Sequence, residues 1–207
     1  MKNLSTQPKA HKLISSLSIG AFWILIITLF STDLAHAHHP LEGTSPESFT
    51  FIDGLISGLA HPILGIDHFL FLFSIGLVGF SFRRWVPILL IFGLLGTISS
   101  LIYPLILTNV ELIICLSLFV SSLIAIGLIN PIVLLPLITC HGYALSQSVV
   151  GAELTPISAY IIGLLISESA IIYIGIIFLR RFVQYRNIFS AVLAGIGISF
   201  SFGAILG

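Results

Sequence analysis

Charge is what this sequence has least of. Only 8% of its 207 residues are Asp, Glu, Lys or Arg, against about 25% in an ordinary soluble domain. Eight basic and eight acidic residues cancel, so there is no basic excess of the kind that nucleic-acid binding requires. The two cysteines, Cys115 and Cys140, lie in separate apolar runs. That argues against a disulfide framework and reads as two reduced thiols, Cys140 beside His141 being a small buried filler or, as the alternative, a soft ligand. His-Glu-x-x-His is absent, and no serine or cysteine stands beside a base in a recognised catalytic motif. What fills the chain instead is hydrocarbon: 57% hydrophobic residues and a mean hydropathy of +1.16. These values place it among all-α polytopic proteins of the lipid bilayer.

The first residues have the layout of a secretory signal. Lys2, Lys9 and Lys12 precede an apolar run over 13–30, and Ala35-His36-Ala37 supplies the small residues of a cleavage site. Residues 1–37 are therefore expected to be a signal peptide, with an uncleaved helix as the alternative. Cleavage would leave His38 and His39 at the mature amino terminus, heading a polar extracytoplasmic lead over 38–50. Residues 51–207 form the expected transmembrane domain.

Six apolar segments divide that domain: 51–80, 86–107, 110–129, 131–150, 155–179 and 187–206. Each approaches or exceeds the ~20 residues that span a bilayer. With the amino terminus in the cytoplasm, Arg83 and Arg84 after the first segment and Arg180, Arg181 and Arg186 after the fifth reach the same side as the three lysines. All eight basic residues are then cytoplasmic, as the positive-inside rule asks. The mature amino and carboxy termini fall outside. Divided three and three, the segments form halves of opposite topology, as in many secondary transporters.

The polar residues inside the apolar segments carry the chemistry. The first segment contains Gly58-Leu-Ala-His61-Pro62-Ile-Leu-Gly65-Ile-Asp67-His68. An Asp at mid-membrane costs roughly 2.5–3.5 kcal/mol on insertion scales, so such residues mark an ion or substrate site by default. His61 and His68, seven apart, fall about 20° from one line on a straight helix. Asp67 points elsewhere unless the backbone breaks, and Pro62 and Gly65 provide the means. Two imidazoles, a carboxylate and freed carbonyls suit a borderline divalent metal. The bland alternative is a kinked helix whose polar groups only bond to its neighbours.

Further candidates lie elsewhere. His141, followed by Gly142, is a ligand partner for the first cluster or a histidine bonded to a carbonyl. Glu168, midway along the fifth segment, is a metal ligand, a proton carrier or a protonated structural group. Glu111, after Thr108-Asn109, either complements a helix start or belongs to the ion path. Asp53 reads as interfacial. Serines and threonines of the segments are expected to bond to backbone carbonyls or across helices.

His61-Pro62-x-x-Gly65-x-Asp67-His68 resembles the signature of the HupE/UreJ family of nickel/cobalt membrane transporters. The leader ending in Ala-His-Ala-His-His, the six segments, Glu111 and His141-Gly142 extend the likeness over most of the chain. The resemblance implies a permease for Ni²⁺ or Co²⁺ with His61, Asp67 and His68 at its core and His141 close by. The chain departs from that pattern twice. Leu145-Ser146 stands where the family usually has a second His-Gly. Glu168 and Ile172 stand where a threonine and, four residues later, a histidine are usual. Glu168 then enriches the site in oxygen, leaving nickel and cobalt equally favoured, while His38, His39 and Glu111 could collect the ion outside.

The expected partners are thus a divalent cation and the bilayer, with no tightly bound cofactor and no enzymatic activity. The alternative is an intramembrane metal- or haem-binding enzyme, or an accessory protein of metalloenzyme maturation. The topology is testable by fusion. A reporter active only in the cytoplasm should work after Arg84 or Arg186 and fail after Gly151 or Gly207. Activity at Gly151 would mean that the segments are miscounted.

Overall fold

The computed structural model describes residues 48–104 and 110–206, and every regular element among them is a helix. The expected signal peptide, His38 and His39 lie outside the described residues. Helices α1 (Phe51–Leu64) and α2 (Ile66–Leu77) meet at Gly65. They are followed by α3 (Phe82–Ile102), α4 (Val110–Ala125), α5 (Leu134–Leu145), α6 (Leu154–Arg181) and α7 (Arg186–Leu206). Short 3-10 turns, Pro131–Val133 and Ser146–Val149, extend α5 at both ends.

Four stretches are each long and apolar enough to cross a membrane: α3, Pro131–Val149, α6 and Val183–Ile205. Helices α1 and α2 qualify together, bent by 74°, as a fifth. Helix α4 has 16 residues, a rise of about 24 Å against a hydrocarbon core of about 30 Å. Residues 105–109, just before it, lie outside the described residues. The chain is therefore an all-helical integral membrane protein with four or five candidate spans.

Thr50 starts α1 through a capping box: its hydroxyl accepts from the Asp53 N–H at 3.3 Å, and the Asp53 carboxylate accepts from the Thr50 N–H at 2.9 Å. Asp53 thus closes the helix end, as an interfacial residue should. Inside the spans, Ser99, Ser122 and Ser201 donate to carbonyls one turn back, and Thr97 donates across to Gly142 O at 3.2 Å. Water is absent in lipid, so hydroxyl protons go to these acceptors.

Glycines set the helix pairing, because lipid offers no hydrophobic drive and close contact must supply the attraction. A Cβ at Gly58 would strike the Tyr160 carbonyl, and one at Gly76 would lie 2.6 Å from the Cα of Gly175. Gly54 meets Pro156 in the same way, and Gly79 meets the Leu179 side chain. So α1 runs beside the first half of α6 and α2 beside its second half, in the same direction. The bent pair therefore traverses the full length of α6. Gly96 against Thr139 and Gly142 against Gly93 join α3 to α5. Gly197 packs on Phe119 of α4, while Leu193 shares a cluster with Ala125, so α4 and α7 run in opposite directions.

Two ends follow from this packing. The turns after α2 and α4 and the head of α7 share one open cavity of ≈ 420 Å³, lined by Val78, Phe80, Gly127, Asn130 and Arg186 among others. Arg83 and Arg84, two residues into α3, and Arg180 and Arg181, closing α6, belong to the same end. Asp53, Glu111 and Glu153, each at the start of α1, α4 or α6, belong to the opposite one.

Gly58→Ala should therefore destabilise by about 1–3 kcal/mol, the usual cost of overpacking. Gly203→Ala, where a Cβ meets nothing within 4 Å, should cost nothing. Thermal melting in detergent measures both, and equal melting temperatures would refute the packing assignment.

Candidate metal site

The site begins with a backbone break. Pro62 has no N–H and its ring crowds the preceding turn, which weakens α1 near its end. At Gly65 the chain turns out of the helix, with φ −73° and ψ 99°. The Gly65 N–H donates to His61 O at 3.0 Å and closes α1, while Gly65 O accepts from the Phe69 N–H at 2.8 Å and opens α2. The carbonyls of His61 and Gly65, on either side of the break, are therefore both engaged by backbone amides.

The bend replaces straight-helix geometry with direct ring contact. His61, in the last turn of α1, and His68, in the first turn of α2, lie edge to face with centroids 5.7 Å apart. A Cβ at Gly65 would approach His68 Cδ2 to 2.8 Å, so only glycine lets this ring sit where it does. His141, from the middle of α5, continues the row. Its centroid is 5.3 Å from that of His68, and it stacks on Phe71 at 3.7 Å. His61, His68 and His141 are 3%, 4% and 0% exposed, a continuous line of imidazoles out of reach of solvent. The structure thus brings together three of the expected residues from three helices.

Their hydrogen bonds define what they can bind. His141 Nδ1 lies 3.2 Å from Leu137 O and 3.5 Å from Ser117 Oγ. A carbonyl only accepts, so Nδ1 carries the hydrogen and the lone pair is on Nε2. That Nε2 is buried without a hydrogen-bond partner, and so is His68 Nδ1. Each such buried orphan costs about 1–3 kcal/mol. A cation with open coordination positions supplies what these nitrogens lack, and imidazole suits a first-row divalent metal.

The carboxylates come from three different helices, and a Cβ at Gly65 would lie 3.3 Å from Asp67 Oδ1 as well as beside the His68 ring. Asp67 is half-buried in the first turn of α2, where its charge complements the helix dipole. Glu111 is exposed at the start of α4. Both lie within electrostatic reach of Cys115 in the second turn of α4. Glu168, 1% exposed, projects from α6 toward α3, where a Cβ at Gly93 would lie 3.6 Å from its Oε2. Its Oε1 has no hydrogen-bond partner. Gly93 also packs on Gly142, beside His141, so Glu168 sits at the back of the α3–α5 crossing. One turn further, Ile172 is packed in the apolar core with Phe71, Leu72 and Ile75.

As the side chains stand, no three His, Cys, Asp or Glu side chains among the described residues converge into a metal cage. The imidazoles touch each other in pairs instead.

One buried polar residue that touches the row escaped sequence reasoning. Tyr160 on α6 is 0% exposed, and its hydroxyl lies 3.3 Å from His61 Nδ1 and 2.5 Å from Leu145 O. Its only sequence signal is an aromatic hydroxyl inside an apolar run, which is too common to single out.

The family described as HupE / UreJ protein matches residues 25–206 of this chain. No curated protein and no solved structure matches it.

Proposed function

The chain belongs to the HupE/UreJ family, whose members are membrane proteins linked to nickel and cobalt handling, and from that premise we propose that it is a Ni²⁺ or Co²⁺ permease. The observation that carries the proposal is the buried row His61–His68–His141 with two nitrogens lacking partners. A hydrated divalent ion cannot enter hydrocarbon. The protein must exchange its water for ligands at mid-membrane, and neutral imidazoles perform that exchange without burying further charge.

The distribution of charge supports a direction of approach. The acidic end, with Asp53, Glu111 and Glu153, attracts a cation and faces outward. The arginine end faces the cytoplasm by the positive-inside rule. The ion meets Asp67 first, then passes along the imidazoles, and protonation of a ligand favours its release. His38 and His39, ahead of this path, collect the ion when it is scarce.

Glu168 supplies an oxygen behind His141, as a ligand or as a proton carrier exchanging with the metal charge. Six alternating spans in two inverted halves fit the pairing. The first and fifth run in one direction, as do the second and fourth, and the third and sixth run oppositely. A row of paired imidazoles rather than a closed cage suits a cargo ion, since a transport site must release what it binds.

Uptake of labelled nickel and cobalt by cells expressing the chain tests this reading. His68→Ala and Asp67→Ala should reduce uptake to the background of cells without the protein, at unchanged levels of folded protein in the membrane. Glu168→Gln should lower it by about tenfold, the scale on which loss of a supporting group acts. A well-expressed His68→Ala protein with normal uptake would overturn the proposal.

A further inference from the structure

Tyr160 connects two helices that carry histidines. It projects from α6 to His61 on α1, and to the carbonyl of Leu145 on α5, one turn beyond His141. The partners of its hydroxyl decide a question that the ring positions leave open: which nitrogen of His61 holds the hydrogen.

A phenol has one proton to donate. The 2.5 Å separation between Tyr160 Oη and Leu145 O joins a hydroxyl to a carbonyl, and the carbonyl has no hydrogen to offer. Of the two groups only the phenol carries a hydrogen, so its proton is on that bond. Toward His61 the hydroxyl can then only accept. The 3.3 Å contact to His61 Nδ1 must be an N–H donating to Tyr160.

We infer that Tyr160 is a positioning residue that fixes His61 in the tautomer with hydrogen on Nδ1, putting the metal-binding lone pair on Nε2. His141 reaches the same tautomer by a different device, its own α5 carbonyl at Leu137. The two outer imidazoles of the row thus present the same nitrogen, one set by a neighbouring helix and one by its own. Second partners of this kind commonly fix the orientation and raise the basicity of histidine ligands. The hydroxyl contributes more than orientation. By holding Leu145 O and His61 Nδ1 at once, it ties the end of α5 to α1 and keeps His61 and His141 in one register.

The structure around Tyr160 requires this residue type. Gly58 admits the α6 backbone at Tyr160 itself, since a Cβ there would strike the Tyr160 carbonyl. Leu145, Val149 and Leu164 pack with its ring. Phenylalanine fills the same volume and loses only the hydroxyl, so Tyr160→Phe isolates the inference. Its consequence for metal rests on the transport reading, whereas the tautomer does not.

The test uses the full chain, labelled with ¹⁵N-histidine and reconstituted in lipid bilayers without metal. Nitrogen chemical shifts distinguish Nδ1–H, Nε2–H and doubly protonated imidazole, and the His61 signal is assigned by its loss in His61→Asn. Wild-type His61 should be neutral with hydrogen on Nδ1. Tyr160→Phe should convert it partly or wholly to the Nε2–H form. Binding of Co²⁺ to the purified variant, followed by absorbance, should weaken by about 10–100-fold.

Wild-type His61 in the Nε2–H or doubly protonated form would overturn the inference without need of any variant. So would a folded Tyr160→Phe protein with unchanged tautomer and unchanged Co²⁺ affinity. A wild-type protein with the Nδ1–H tautomer that takes up neither metal would overturn the transport reading and leave the role of Tyr160 standing.

Discussion

A membrane tolerates non-helical backbone only where protein, rather than lipid, surrounds it. The rest of this structure depends on that constraint, because the first span is broken at Gly65 and turned by 74°. An unpaired amide facing hydrocarbon costs several kcal/mol, so the break exists only because other helices wall it. Helix α6 runs past both arms of the bend and meets them through glycines at 54, 58 and 76. Helix α5 closes another side through His141, and α4 brings Ser121 within 2.5 Å of Ser74 on α2. The break and its wall are one construction.

That construction makes the site. On an unbroken helix His61 and His68 would be nearly two turns apart, about 10 Å in rise, and their rings would not meet. The turn at Gly65 brings them into edge contact and frees room for a third ring from α5. The stacking of His141 on Phe71 fixes that ring from its other face. The buried nitrogens left without partners are an energetic debt of several kcal/mol at about 1–3 each. On the proposed reading, a divalent cation would cancel it.

Much of this arrangement was legible in the sequence, for identifiable reasons. Helix ends are marked by composition. Segments expected at 155–179 and 187–206 correspond to Leu154–Arg181 and Arg186–Leu206, because apolar runs in lipid end where arginines and polar turns begin. Pro62 and Gly65 announced a break, and three of the histidines singled out within apolar runs meet in the structure. What the sequence could not show was contact across helices. Nothing in the spacing pairs Tyr160 with His61, 99 positions away, or sets Glu168 beside Gly93. The bend also redirected atoms that periodicity had placed. The His61 carbonyl, beside the break, accepts from Gly65 and closes α1. The two departures from the family pattern are packed positions: Leu145 and Ile172 are both buried in apolar clusters. Their apolar surroundings suit the residues that stand there.

The central claim is that the row of three imidazoles is where the cation loses its water. X-ray absorption at the cobalt edge, on the full chain in lipid with Co²⁺ bound, tests it most directly. The account predicts imidazole nitrogens in the coordination shell, with His61→Ala, His68→Ala and His141→Ala each removing one. A shell of oxygen alone, unchanged by all three substitutions, would contradict it.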